Sequence, residues 1–160
     1  MKKSFEYIIK ISETEFYDKL KKHTAFNCSS SSYDNGYEFY CDNPKNITDL
    51  KVTPTSLLSR EGILAPLIKI QTKQLDENLK VNLTLQSNKI YYFLAVLFSL
   101  AGVLFGLITY FSLANLCLAI IISIVFILII NLAFFIITKS KITDAKERFE
   151  SVMIFNGHYC

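Results

Sequence analysis

The segment that decides the fold is IYYFLAVLFSLAGVLFGLITYFSLANLCLAIIISIVFILIINLAFFIIT, residues 90–138, which holds 49 residues and no Asp, Glu, Lys, Arg or His. A run of about 18 apolar residues already suggests a membrane span. A single helix of this length would extend roughly 73 Å, more than twice the roughly 30 Å hydrocarbon core. The segment therefore predicts two spans, 90–111 and 116–138, joined by an extracytoplasmic turn at 112–115, where Ser112 and Asn115 favour a turn.

The cations on either side of this run predict its orientation. Lysines precede the first span, lysines and an arginine follow the second, and the turn at 112–115 has no charge. Because cytoplasmic segments of membrane proteins are enriched in Lys and Arg, both termini are expected in the cytoplasm. The N-terminal segment lacks the apolar core of a signal peptide. We therefore expect a multi-pass protein of the cell membrane, of the bacterial inner-membrane type, with the lipid bilayer as its first partner.

Residues 1–89 are expected to form a small cytosolic α+β domain. The capping box of Ser12 and Glu15 predicts a helix through ETEFYDKLKKH, residues 13–23. Further strands are predicted in YEFYC (37–41), in ITDLKV (47–52) and in the two arms of a hairpin around LDEN (75–78). The first strand is indicated by apolar residues that alternate with polar ones, namely Phe5, Tyr7, Ile9 and Ile11. Together these patterns predict an antiparallel sheet of about 4–5 strands with one N-terminal helix.

The segment 139–160 predicts a cytosolic C-terminal amphipathic helix and tail. Thr143 is a candidate cap for its start, and Asn156-Gly157 is a candidate stop. Its apolar face is formed by Ala145, Phe149, Val152 and Met153. This face needs cover, which the sheet is expected to give, with the membrane surface as the alternative.

A resemblance follows from this layout. The chain has an N-terminal strand and capped helix, the hairpin ILAPLIKIQTKQLDENLKVNLTLQ (63–86), two spans and a short charged tail. In this order of elements it resembles a family of small uncharacterised two-span membrane proteins of Bacteroidota. The resemblance implies the architecture of a transmembrane helical hairpin attached to a small cytosolic domain, and it implies no activity.

Small residues in the two spans are the candidate helix-packing site. Gly102 and Gly106 form a G-x-x-x-G spacing, which lets two helix backbones approach closely. In an antiparallel hairpin they lie at about the same depth as Ala119 and Ser123, so packing within one chain is favoured over a homo-oligomer. Asn131 is the amide deep in the second span, and we expect it to hydrogen-bond to the neighbouring helix.

The remaining candidates outside the spans are weaker. Lys19, Lys21 and Lys22 complement the dipole at the end of the first helix, and contact with anionic lipid is the alternative interpretation. The four cysteines and two histidines lack the spacing of a zinc site, so no metal or cofactor is predicted. A net charge of +3 is too small to indicate nucleic acid binding.

No residue pattern in the chain predicts catalysis, since the candidate carboxylates Glu13 and Glu15 already serve a helix start. The leading hypothesis is therefore a non-enzymatic one. The hairpin would anchor a small domain that binds another protein or senses the membrane. Two alternatives stay open: an oligomeric pore or transport accessory built from the hairpin, and an enzyme that acts on lipid.

Overall fold

A computed structural model describes residues 1–26, 36–41, 45–52, 65–113 and 115–155 of the chain. The candidate helix stop at Asn156-Gly157 lies outside these residues, and so do Cys28, His158 and Cys160. The chain divides into two compact units. Met1–Asn88 forms the first unit together with the chain from Lys141 onward, and Lys89–Ser140 forms the second.

The first unit is built on a six-stranded sheet with the strand order β1-β6-β5-β4-β3-β2. The strands are β1 (Lys2–Ile9), β2 (Thr24–Phe26), β3 (Phe39–Cys41), β4 (Asp49–Val52), β5 (Leu67–Leu75) and β6 (Asn78–Gln86). Helix α1 (Glu13–Lys22) lies between β1 and β2 in the chain. β2 pairs with β3 in parallel, and the other neighbouring pairs are antiparallel.

Two expectations about the sheet are corrected. It has six strands where about 4–5 were expected, and it is mixed where an antiparallel sheet was expected. The difference arises at β2, whose three residues Thr24–Phe26 are too few to show an alternating pattern. Its parallel partner β3 lies across a connection of more than ten residues, and only the folded chain brings the two together.

The sequence pattern explains the long strands. In β1 and β6 every second residue is turned inward, so that Leu79, Val81, Leu83 and Leu85 are fully buried. A two-residue turn at Asp76 and Glu77 joins β5 to β6, and Asp76 takes a positive φ of 50° there. The alternation and the turn together fix the register of this hairpin.

One face of the sheet carries the main core. Phe16 and Leu20 of α1 are buried in it. The predicted cap of this helix is present, since Ser12 Oγ accepts a hydrogen bond from the Glu15 backbone N–H at 3.2 Å. The C-terminal segment supplies the rest of the cover. Its buried residues in the same core are Ile142, Ala145, Phe149, Val152 and Met153. The apolar face expected of this segment thus packs with the sheet.

The start of the C-terminal helix differs from expectation. Thr143 does not cap a new helix, because helix α3 runs without a break from Leu116 to Phe149. No Gly or Pro interrupts residues 116–149, so the backbone hydrogen bonds continue past the end of the apolar run. A π-helical segment, Glu150–Phe155, follows directly.

The second unit contains helix α2 (Lys89–Leu113) and the portion of α3 up to Ser140. Among the described residues, these are two helices that are long and apolar enough to cross a membrane by length and composition. The core helix of a soluble protein has the same composition but is mostly buried. Here 11% of the most apolar window of the first helix is buried, and none of the second. Large apolar side chains therefore face outward along both helices, as lipid-facing residues do.

Candidate functional site

The two helices of the second unit meet at a seam of small residues. Gly106 of α2 lies against α3 so closely that a Cβ at this position would overlap Ser123 Oγ and would lie 3.2 Å from the Ala119 carbonyl oxygen. Ser123 Oγ donates a hydrogen bond to that same carbonyl at 2.9 Å. Three of the five expected packing residues, Gly106, Ala119 and Ser123, therefore meet at one point. Absence of a side chain at Gly106 is what allows this approach.

Gly102 lies one turn away and has a different environment. A Cβ there would lie 2.8 Å from Phe126 Cδ1 and 3.0 Å from Ile127 Cγ1. Large side chains, and not Ser123, thus face Gly102. If residues at equal depth in the hairpin faced each other, Gly102 would face Ser123, but the ring of Phe126 occupies that position.

Aromatic rings line the seam beyond the glycines. Phe105 stacks with Phe126 at a ring separation of 6.2 Å, and Phe134 contacts both Tyr91 and Phe98 at 6.5 and 5.9 Å. Residues of α2 that lie seven positions apart, such as Phe98 and Phe105, share one helix face. This spacing was the sequence signal that could have revealed the aromatic part of the seam.

The amide of Asn131 makes the cross-helix contact expected of it. Its Nδ2 lies 3.2 Å from Ser99 Oγ of α2 and donates to the Ile127 carbonyl at 2.8 Å. Ser99 Oγ in turn donates to the Ala95 carbonyl at 2.7 Å. The polar side chains Ser99, Ser123 and Asn131 thus hydrogen-bond to groups of the same two helices.

At the turn, Asn115 caps helix α3. Its Oδ1 accepts from the Leu118 backbone N–H at 3.0 Å, and its carbonyl accepts from the Ala119 N–H at 3.1 Å. Asn is among the preferred residues for this position. The turn residue singled out in the sequence thus has a local structural role.

The three lysines at the end of α1 have separate environments. Lys19 Nζ donates to the Met153 carbonyl at 3.4 Å, at the π-helical segment. Lys21 lies 4.0 Å from the Asp18 carboxylate, with both side chains mostly exposed. Lys22 is exposed. The three lysines therefore do not converge on one site, and Lys19 has a structural contact of its own.

A polar cluster that the sequence did not reveal ties the π-helical segment to β1. Glu150 Oε1 accepts from the Tyr7 hydroxyl at 2.9 Å and lies 3.0 Å from Lys146 Nζ. Lys146 Nζ also lies 5.2 Å from the centre of the Phe5 ring. Burial, and then the hydrogen bond and negative charge of Glu150, raise the pKa of Tyr7 well above its ordinary value. The neutral hydroxyl is thereby held as a donor.

The contacts of this cluster are structural, since they join β1 to the C-terminal segment. Its members come from both ends of the first unit, and the i, i+4 spacing of Lys146 and Glu150 is the one feature the sequence displays. Arg148 adds a second tie, with its guanidinium 3.8 Å from Glu38 and 3.5 Å from Asp144. The Arg148–Glu38 pair and the Tyr7–Glu150 hydrogen bond hold the C-terminal segment against the rest of the first unit.

The thiols and metal-ligating side chains form no centre within the part of the chain that the structure describes. Cys41 is buried in the core and Cys117 is exposed, and neither is joined in a disulfide in the described part of the chain. Among the described residues no three His, Cys, Asp or Glu side chains lie close enough to hold a metal ion.

The face of the sheet opposite the core is polar along β1, β6 and β5. We call it the open face; its described members on these strands include Ser4, Glu6, Lys69, Gln71, Lys73, Lys80, Asn82 and Thr84. Lys80 Nζ lies 2.8 Å from Glu6 Oε1, and Ser4 Oγ lies 3.3 Å from Thr84 Oγ1. Antiparallel sheets commonly keep one face in water, and this face has the composition of a solvated surface.

No known protein family, curated protein or solved structure matches this chain. The resemblance to two-span proteins of Bacteroidota stays a prediction. Function must therefore be argued from the geometry of the chain itself.

Proposed function

We propose that this chain is a two-span membrane protein whose hairpin anchors one sheet domain, and that the domain acts as a non-enzymatic binding module. The observation that carries the proposal is the composition of the first unit. Its core contains residues from before the hairpin, such as Leu83, and residues from after it, such as Phe149. A chain that enters and leaves one folded unit through two spans must have both ends of the hairpin on the same side of the bilayer.

The charge pattern supports the cytoplasm as that side. Lys89 precedes α2, Lys139 and Lys141 follow the apolar part of α3, and the turn between the helices has no charged residue. Positive flanks of membrane spans favour the cytoplasmic side. The protein is thus proposed to lie in the cell membrane with both termini in the cytoplasm.

The hydrogen bonds of the spans favour an anchor over a pore. A pore made from several hairpins needs a row of polar groups directed at water. In this hairpin the hydroxyls of Ser99 and Ser123 and the amide of Asn131 bond to backbone or side-chain groups of the same two helices. The open face of the sheet is the surface that remains for a partner.

Cysteine labelling of the full chain in intact cells tests this topology. Single cysteines replace Ser112 near the end of α2, Glu77 in the β5–β6 hairpin, or Glu147 in the C-terminal segment, each on a cysteine-free background; all three positions are exposed. A membrane-impermeant maleimide should label position 112 from outside the cell. Positions 77 and 147 should react only after permeabilisation, and to equal extents.

The proposal fails if positions 77 and 147 prove accessible from opposite sides, since one folded unit cannot then contain both flanks. It also fails if the native protein stays in the aqueous fraction after lysis without detergent. The Glu77 and Glu147 variants control for each other, because both replace an exposed carboxylate of the same unit.

A further inference from the structure

The directions of the strands collect lysines at one end of the sheet. β6 ends at Gln86, three residues before α2 begins at Lys89, and we call this end of the sheet the span-proximal end. Because β1 and β5 are antiparallel to β6, both begin at this end, where Lys2 and Leu67 lie opposite Gln86. Lys51 lies opposite Leu67 on β4. One row across four strands therefore begins and ends with a lysine.

Three lysines near the span-proximal end lie on the open face. Residues directly opposite one another in a sheet share a face, so Lys2 and Lys51 lie on the same side as Gln86 and Leu67. Lys69 follows Leu67 by two residues and returns to that side. Lys2 and Lys69 are exposed, and Lys51 is partly exposed, with its Nζ 5.2 Å from the centre of the Tyr40 ring.

The spacing of these lysines suits several anionic headgroups side by side. Neighbouring strands lie about 4.8 Å apart, so the Cα atoms of Lys2 and Lys51 are separated by roughly 14 Å. The chain from Gln86 to the first residue of α2 spans at most about 10 Å. If α2 crosses a membrane, this end of the sheet is tethered within reach of the headgroup layer.

Acidic residues are collected at the other end. The β5–β6 turn contains Asp76 and Glu77, and Glu13 and Glu15 lie in the first turn of α1, which begins shortly after β1 has reached that end. At the span-proximal end the described strand residues include a single carboxylate, Asp49, which lies opposite Lys69 and accepts a hydrogen bond from Asn46 at 2.9 Å. Lys73 and Lys80 lie toward that other end as well, so the two ends of the sheet differ in net charge, which is more positive at the span-proximal end.

From this charge separation we infer that the span-proximal end of the open face, Lys2, Lys51 and Lys69, binds the phosphate headgroups of anionic phospholipids. The inference rests on the proposed membrane anchoring and identifies the ligand of that anchored module. A lysine near an anionic leaflet is attracted by its surface potential, which decays within a Debye length of about 8 Å. The short connection between Gln86 and Lys89 limits how far this end of the sheet can lie from that layer, and a soluble acidic partner would gain no advantage from such a connection.

The test uses the full chain purified in a neutral detergent with an equimolar mixture of phosphatidylglycerol and phosphatidylcholine of identical acyl chains. Native mass spectrometry measures the ratio of the two lipids retained per protein. The test variant is K2Q/K51Q/K69Q. The matched control is K10Q/K45Q/K73Q, which removes the same charge from exposed lysines away from that end; Lys73 lies on the same strand and face as Lys69.

The native chain should retain phosphatidylglycerol in preference to phosphatidylcholine. An attraction of about 1 kcal/mol per lysine corresponds to about fivefold in affinity for each, so three substitutions together should lower the preference by about a hundredfold. The control variant should change it less than about twofold. An excess of inorganic phosphate should leave the retained lipid in place.

Three results would overturn the inference. Equal retention of both lipids by the native chain would leave an acidic protein surface as the occupant of these lysines. An equal fall in the preference for phosphatidylglycerol in the test and control variants would show that the preference depends on net charge alone. Displacement by inorganic phosphate would show a site for a free anion. Each can occur while the labelling pattern at positions 77, 112 and 147 is as expected, so the anchoring proposal can stand when this inference fails.

Discussion

Replacing Gly106 by alanine should destabilise the hairpin, whereas the same change at Gly102 should have little effect. Both residues lie in α2, four positions apart, and both gain one methyl group. At Gly106 the added Cβ meets Ser123 Oγ, and it lies 3.1 Å from Ser123 Cβ and 3.2 Å from the Ala119 carbonyl oxygen. At Gly102 it meets only side-chain atoms, of Phe126 and Ile127.

The expected loss of stability at Gly106 follows from the groups that the added methyl must displace. Rotating Ser123 Oγ away from the new methyl breaks its 2.9 Å hydrogen bond to the Ala119 carbonyl, at a cost of about 1 kcal/mol. The Ala119 carbonyl belongs to the backbone of α3 and cannot rotate away, so the helices must separate locally. Overpacking of this kind costs about 1–3 kcal/mol. At Gly102 the close atoms belong to side chains alone, those of Phe126 and Ile127, whose small shifts cost less than moving a backbone carbonyl. The better helix propensity of alanine, which both positions share, offsets up to about 1 kcal/mol.

Unfolding of the full chain in mixed micelles by increasing SDS, followed by far-UV circular dichroism, gives the free energy of unfolding of each variant. We expect Gly106→Ala to lower it by about 1–3 kcal/mol and Gly102→Ala to change it by less than about 1 kcal/mol. The double variant G106A/S123G moves the small residue to the other helix. Relative to Ser123→Gly alone, it should lose less than Gly106→Ala loses in the native background, because the overlap with Ser123 Oγ is gone while the contact with the Ala119 carbonyl oxygen remains.

Equal losses at Gly102 and Gly106 would refute the argument from contact distances. A Gly106→Leu variant gives a second check, because its larger side chain should disturb the folding of the single chain. If that variant unfolds like the native protein and only the yield of crosslinked dimer falls, Gly106 lies between two chains and the intramolecular seam is wrong.

Three further predictions concern single side chains. Asn131→Leu and Ser99→Ala, with their double variant, should show a coupling of about 0.6 kcal/mol in the same unfolding assay; purely additive losses would contradict the cross-helix hydrogen bond. Phe149→Ala should lower the free energy of unfolding of the sheet domain by about 3–5 kcal/mol, because this ring is fully buried, whereas Phe155→Ala, whose side chain is 58% exposed, should change it by less than about 0.5 kcal/mol. Because the pKa of Tyr7 is raised in the folded chain, the stability that its neutral hydroxyl contributes is present below pH about 10 and is lost as the pH rises further. In a pH titration of the free energy of unfolding, Tyr7→Phe should therefore lose less stability at alkaline pH than the native chain. Identical alkaline slopes for the two proteins would contradict the raised pKa at this position.

Local patterns predicted the elements whose stability is local. The capping box at Ser12, the alternation along β1 and β6, and the turn after Leu75 each require only residues close in the chain, and each element lies where its pattern places it. The cap at Asn115 is of the same kind. By contrast, Thr143 satisfies a capping pattern inside α3, where an uninterrupted helix leaves no free N–H groups for it to accept from.

Pairings between distant residues depended on the tertiary structure. The parallel pairing of β2 with β3, the contact of Glu150 with Tyr7, and the aromatic neighbours of Gly102 join segments whose separation in the chain carries no signal of contact. These contacts form because burial and hydrogen bonding of specific side chains repay the entropy of closing long loops.

The sequence by itself determined that the chain carries two long apolar helices, because 49 residues without a charge cannot be placed in water or in one span. It also determined that the flanking segments form an α+β domain, since the spacing of apolar residues along the chain distinguishes strands from helices. Only the tertiary structure decided that the segments before and after the hairpin share one core, and that strand direction gathers lysines at the end where the chain leaves the sheet. Strand order, and the pairing of strands that lie far apart in the chain, assign many residues their neighbours, and no local stretch of the chain encodes either of them.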